Sequence, residues 1–224
     1  MDDRDKTKDE IIRNWYLRKL ANFITYVGLI CTIGVPVLAF TVPERLWLMT
    51  LFAFLAGLSD VLDGTIAKIL KTTTLFGSAF DKLRDKVFVV PNLIILIWVY
   101  RWALKDLPTW LFASTIILAC SISFLELLLF VFAWIVAMKK IPIEANKLGQ
   151  IKMWFLFPVI ILWLFSLAIQ TSFKIPAFQF SIYLINAILG ITGFLTVLSL
   201  ENYYETYYLG PEKEKQKKER QKAQ

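Results

Sequence analysis

Four aspartates, Asp60, Asp63, Asp81 and Asp85, recur at offsets of three and four residues in a stretch that is otherwise largely apolar. Such offsets return to one side of an α-helix, so Asp60 and Asp63 share a face and Asp81 and Asp85 share another. An ionisable group at bilayer depth costs at least about 2.5 kcal/mol on insertion scales, which makes four of them together a mark of function. Converging carboxylates repel one another unless cations neutralise them. An all-oxygen donor set selects hard divalent ions, Mg²⁺ or Mn²⁺ first and Ca²⁺ as a competitor. The chain contains no histidine, so imidazole bases, Ser-His triads and histidine ligands are excluded. Acid-base chemistry falls to carboxylates or lysines.

Glycines sharpen this reading. Gly64 follows Asp63 directly and Gly77 precedes Asp81 by four residues, which bares the backbone beside the acids. A bulky ligand can approach closely there. Two hard cations next to such a surface, with Lys68 and Lys71 nearby, suit a diphosphate whose attacking and leaving oxygens need charge neutralisation. Helix packing alone would account for Gly64, Ala67 and Gly77, but not for the acids.

The elements that position these residues are helices in a membrane. Hydrophobic residues make up 57% of the chain and mean hydropathy is +0.58, outside the range of an ordinary soluble domain. Apolar runs near 23–42, 47–69, 80–104, 110–137, 153–171 and 180–200 are each long enough to span a bilayer. The expected fold is therefore an all-α integral membrane protein with six transmembrane helices. Residues 1–21 form a cytoplasmic N-terminal segment, 22–204 the membrane domain and 205–224 a charged, disordered tail. Within the first segment, Ile11, Ile12, Trp15 and Tyr16 lie near one side of a helix, as in an amphipathic helix at the membrane interface.

Lysines and arginines concentrate before the first span, around the second and fourth connections and in the tail. By the positive-inside rule, both termini and the acid cluster face the cytoplasm. The net charge of +7 is then a matter of topology, and no nucleic-acid partner is expected. We expect a multi-pass protein of a prokaryotic plasma membrane without a cleaved signal peptide. Cys31 and Cys120 lack metal-ligand spacing and read as small core residues. Pro36 and Pro91 should bend their helices. Gly190 and Gly193 form a small-residue strip suited to close helix contact within the bundle.

The stretch Asp60-x2-Asp63-Gly64-x2-Ala67-Lys68-x8-Gly77-x3-Asp81-x3-Asp85 resembles the signature of the class I CDP-alcohol phosphatidyltransferases, D-x2-D-G-x2-A-R-x8-G-x3-D-x3-D. Lys68 replaces the arginine, and every other fixed position matches. The resemblance implies that Asp60, Asp63 and Asp81 hold a pair of divalent ions, Mg²⁺ or Mn²⁺. Asp85 would face the same ions and act as general base. It also implies that Asp60, Gly64, Ala67, Lys68 and Gly77 bind the cytidine diphosphate. The implied reaction transfers a phosphatidyl group from CDP-diacylglycerol to a polar alcohol in the bilayer and releases CMP, and a homodimer is the implied assembly. Lysine at position 68 keeps the charge but loses arginine's bidentate fork.

The acceptor is only partly indicated. Asp85-Lys86 resembles a pair common in phosphatidylglycerophosphate synthases and bacterial-type cardiolipin synthases, and Gly149-Gln150-Ile151-Lys152 resembles their Gly-Lys-x-Lys segment. Lys147 and Lys152 are thus candidates for binding an anionic acceptor, with glycerol 3-phosphate leading. Inositol phosphate, inositol, serine and phosphatidylglycerol remain alternatives. Gly28 and Leu125 stand where arginines are usual in glycerophosphate-using members. Glu126, near mid-helix, either lines the acceptor pocket or bonds within the bundle. From other classes, a cation or proton transporter would also use intramembrane acids, and a prenyltransferase would also bind a magnesium diphosphate. The first does not require the paired glycines at these offsets, and the second would have separated aspartate-rich segments and more spans, whereas this chain concentrates its acids in one stretch from Asp60 to Asp85.

Overall fold

In lipid no water meets a bare N–H or C=O, so a long apolar chain closes its hydrogen bonds within helices. The computed structural model describes residues 3–70, 75–105, 107–138 and 147–209, with side chains from Tyr16 onward except chiefly 63, 64, 66–84 and 147. Those residues are all-helical apart from short connections: α1 (Asp3–Thr41), α2 (Leu46–Leu70), α3 (Leu75–Val99), the single turn α4 (Arg101–Leu104), α5 (Thr109–Met138), α6 (Lys147–Phe173) and α7 (Ala177–Tyr204). Among the described residues, four segments are long and apolar enough to cross a membrane: Asn22–Thr41, Thr109–Val136, Leu148–Phe173 and Ala177–Tyr208. Leu46–Leu62 is a shorter apolar stretch.

The six long helices correspond to the six apolar runs, with three differences. The segment before residue 22 is not a separate helix in the backbone, because α1 runs through it unbroken. The third run ends at Val99, and Arg101–Leu104 forms its own turn. Helix also passes the expected boundary at 204, since Glu205–Leu209 continues α7 as a π-turn. The rest of the charged tail lies outside the described residues.

The helices close into a ring. Contacts run α1 to α2, α2 to α6, α6 to α7, α7 to α5, α5 to α3 and α3 back to α1, while α3 also reaches α6 across the interior. Trp163, Phe88, Phe178, Met49, Leu93, Leu156 and Ile160 fill that interior and are fully buried. Phe23, Ile30, Phe54, Trp154, Phe180 and Phe194 point outward, as lipid-facing side chains should. Cys31 is buried as expected, but Cys120 is exposed, so it belongs to the outer surface and not to the core.

Hydroxyls within the helices are met locally. Thr32, Thr50, Thr115 and Thr196 each donate to the carbonyl four residues back, which satisfies them without water. At the end of the bundle away from the acids, Trp47 Nε1 donates to Ser172 Oγ at 2.8 Å, tying α2 to α6. Asn186 Nδ2 donates to Thr115 Oγ1 at 2.7 Å and its Oδ1 accepts from Ser114 Oγ at 3.1 Å, tying α7 to α5. In the predicted glycine strip, a Cβ on Gly193 would meet Ile122 of α5 at 3.7 Å, whereas Gly190 faces open space. Only Gly193 serves contact within the bundle.

Candidate functional site

Asp60 and Asp63 fall on the second half of α2, and Asp81 and Asp85 on the first half of α3. Asp60 lies 14 residues into α2, or about 21 Å along its axis. Asp60 and Asp85 are both half-buried. The side chains of Asp63, Gly64, Ala67, Lys68, Gly77 and Asp81 lie outside the described set, so their expected roles rest on backbone position. All six fall on regular helix, with Gly64, Ala67 and Lys68 in the last turns of α2 and Gly77 in the first turn of α3.

Among the described residues α2 and α3 do not pack extensively on each other. α1 touches both on one side and α6 touches both on the other. Both α1 and α6 thus bridge the two acid-bearing helices. No trio of acidic or cysteine side chains close enough to hold a metal occurs among the described residues. The four residues expected to hold a cation are nonetheless all aspartates, and carboxylate oxygen fits a hard divalent cation and no soft one.

Beside the acids lies a second charged group. Glu126 of α5 is fully buried, and its two carboxylate oxygens accept from different lysines: Oε2 from Lys86 Nζ of α3 and Oε1 from Lys152 Nζ of α6. Lys152 is 3% exposed. The trio carries two positive charges against one negative, and its Lys86 is the chain neighbour of Asp85. Of the two roles open to Glu126 from sequence, bonding within the bundle is the one visible in the structure. Lys147 begins α6, and only its helical position is described.

Sequence reasoning did not single out Lys86 as a member of this group, because a lysine at the foot of a span also reads as a topology signal. It also passed over Gly57, Phe88 and Phe157, which lie against the acid-bearing turns. Phe88 and Phe157 stack with centroids 4.3 Å apart and planes 11° off parallel. A Cβ on Gly57 would come within 3.3 Å of Phe157 Cδ1.

The described residues thus form an all-helical protein with four spans of membrane length and with paired acids in the sequence of two of its helices. The family model described as CDP-alcohol phosphatidyltransferase matches residues 18–198, most of the chain, and the protein belongs to that family. It is 41% identical over 63 residues to a CDP-diacylglycerol–glycerol-3-phosphate 3-phosphatidyltransferase of Haemophilus influenzae, covering 27% of this chain and 34% of that one. It is 33% identical over 85 residues, 37% of each chain, to an enzyme of the same description from Cereibacter sphaeroides. These matches span only about a third of the length of each curated relative.

Proposed function

We propose that the protein transfers a phosphatidyl group from CDP-diacylglycerol to glycerol 3-phosphate, releasing CMP, at the cytoplasmic face of a prokaryotic plasma membrane. The observation that carries the class of reaction is the acid and glycine pattern from Asp60 to Asp85, borne on α2 and α3. The acceptor is supported by the two relatives, both described as glycerol-3-phosphate phosphatidyltransferases. Lys86 and Lys152 also place two cations beside the acids, a feature that favours an anionic acceptor over inositol or serine.

In this reading Asp60, Asp63, Asp81 and Asp85 hold two divalent cations, Mg²⁺ or Mn²⁺. Bound there, the cations would supply charge neutralisation for the diphosphate and polarise the acceptor hydroxyl. Gly64, Ala67 and Gly77 leave room for the cytidine diphosphate, and Lys68 offers its phosphate a point charge. Asp85 accepts the proton from the attacking hydroxyl. Lys152 and Lys147 bind the acceptor's phosphate, and Glu126 holds Lys152 and Lys86 towards it.

The membrane domain of residues 22–204 then has six spans with both termini cytoplasmic, an arrangement favoured by the distribution of lysine and arginine. Residues 1–21 lie on the cytoplasmic leaflet as an amphipathic continuation of α1, and the tail from 205 is cytoplasmic. Homodimeric assembly is supported by the family resemblance. The test is CMP release by purified, lipid-reconstituted protein with Mg²⁺ or Mn²⁺, screening glycerol 3-phosphate, inositol phosphate, inositol, serine and phosphatidylglycerol. Release that requires glycerol 3-phosphate supports the full reading. Dependence on another acceptor keeps the reaction and replaces the substrate.

A further inference from the structure

The gap between α2 and α3 has a filled end. Phe157 projects from α6 into it, stacked on Phe88 of α3 at 4.3 Å on one side and lying against Gly57 of α2 on the other. Gly57 precedes Asp60 by three residues and Phe88 follows Asp85 by three, and α2 and α3 run in opposite directions through the ring. Both contacts therefore fall one helical turn, about 4.5 Å, from an acid, on the same side of the acid cluster. Phe88 is fully buried and Phe157 half-buried.

We propose that Phe157 is a spacer whose ring, held between Gly57 and Phe88, sets the distance between the acid pairs of α2 and α3. The inference rests on the reading of those acids as a shared cation site. Among the described residues α2 and α3 share few direct contacts, so a side chain held between them helps to set their separation. An aromatic ring resists compression, and its stacking on Phe88 orients it. Gly57 is the matching half, because a hydrogen there lets the ring edge approach the α2 backbone. A methyl group at Gly57 would sit 3.3 Å from Phe157 Cδ1, tighter than ordinary van der Waals contact, so the helices or the ring must give by a few tenths of an ångström. Pro158 follows directly in α6 and frees one backbone carbonyl of the preceding turn, which loosens the helix where the ring enters the gap. Gly57 and Phe157 are thus positioning residues, acting through the acids.

The test uses the full chain in detergent and reads Mn²⁺ binding by electron paramagnetic resonance, with CMP release measured in parallel. Gly57→Val should weaken Mn²⁺ binding about tenfold or more, in line with the sensitivity of reacting groups to displacements near an ångström. Phe157→Leu, which keeps the site apolar, should weaken it severalfold by removing the stacked ring that fixes the separation. The double variant should bind Mn²⁺ more tightly than Gly57→Val alone, because the smaller side chain makes room for the added methyls. Unchanged Mn²⁺ affinity in both single variants, or additive losses in the double one, would overturn the spacer. Melting temperatures separate this from general damage, since a merely structural role lowers stability without the compensating recovery of Mn²⁺ affinity. The outcomes also separate the two inferences. Compensated Mn²⁺ binding without CMP release from wild type sustains the spacer and removes the transferase reading; normal CMP release with insensitive variants does the reverse.

Discussion

Lys152 reaches from α6 to Glu126 on α5, joining two helices that are not adjacent in the ring, and both side chains are buried. Removing one partner of a buried ion pair leaves an uncompensated charge in low dielectric, which costs about 3–5 kcal/mol. Glu126→Ala should therefore lower the melting temperature of the detergent-solubilised protein sharply. Glu126→Gln, which still accepts from one lysine, should lower it less. Equal melting of both variants and wild type would mean that the carboxylate does not hold the bundle together.

Lys152 should also discriminate between the two substrates. A hydrogen bond to a charged group contributes about 1.5–3 kcal/mol, or roughly a 10- to 100-fold change in binding. Lys152→Met should raise KM for glycerol 3-phosphate by that factor, while KM for CDP-diacylglycerol moves little. Equal shifts for both substrates would place Lys152 in general packing and not in acceptor recognition. Steady-state kinetics in mixed micelles, varying each substrate in turn, makes the comparison.

Divalent cations should stabilise the fold as well as support turnover. A ligand that binds only the folded state at one hundred times its dissociation constant adds about 2.7 kcal/mol. Saturating Mn²⁺ should accordingly raise the melting temperature, chelator should remove both that gain and CMP release, and Asp60→Asn should blunt the shift. A melting curve indifferent to Mn²⁺ would contradict a cation site between α2 and α3.

Much of this architecture was legible because lipid narrows the choices. Apolar runs of membrane length must be helices, so the six long helices could be read to within a few residues at most of their ends. The acids were legible because an aspartate in an apolar helix demands a reason, and their spacing alone put each pair on one face. What sequence did not contain was adjacency. Nothing in periodicity indicates that α2 contacts α6, or that α5 closes the ring between α3 and α7. For that reason Glu126, Lys152 and Lys86 could each be noted in the sequence while their pairing across three helices stayed hidden. The unbroken α1 was missed for a related reason: charge marks where a helix leaves the membrane, and hydrogen bonding continues past that point. Gly57, Phe88 and Phe157 each look like ordinary core residues in one dimension, and their relation to the acids exists only where three helices meet.

Asp85 provides the sharpest test of the chemistry. It is half-buried on α3, one turn from the Phe88–Phe157 stack, with Lys86 beside it engaged by Glu126. Asparagine has almost the same shape, so Asp85→Asn should fold and melt close to wild type. It removes a negative charge and a proton acceptor together, and general-base catalysis alone typically contributes about 10²–10⁴-fold. CMP release should fall by at least that factor. The two losses can be told apart by titrating Mn²⁺. A residue needed only to hold a cation yields a variant whose kcat recovers when the cation is raised far above its ordinary requirement. A residue that also takes the proton yields one whose kcat stays low even when Mn²⁺ saturates. For Asp85 we expect the second pattern and for Asp60→Asn the first, because Asp60 is assigned to the cations and the cytidine diphosphate and not to the proton. Recovery of Asp85→Asn by Mn²⁺ would leave the site without its base and turn attention to a carboxylate on the opposite helix.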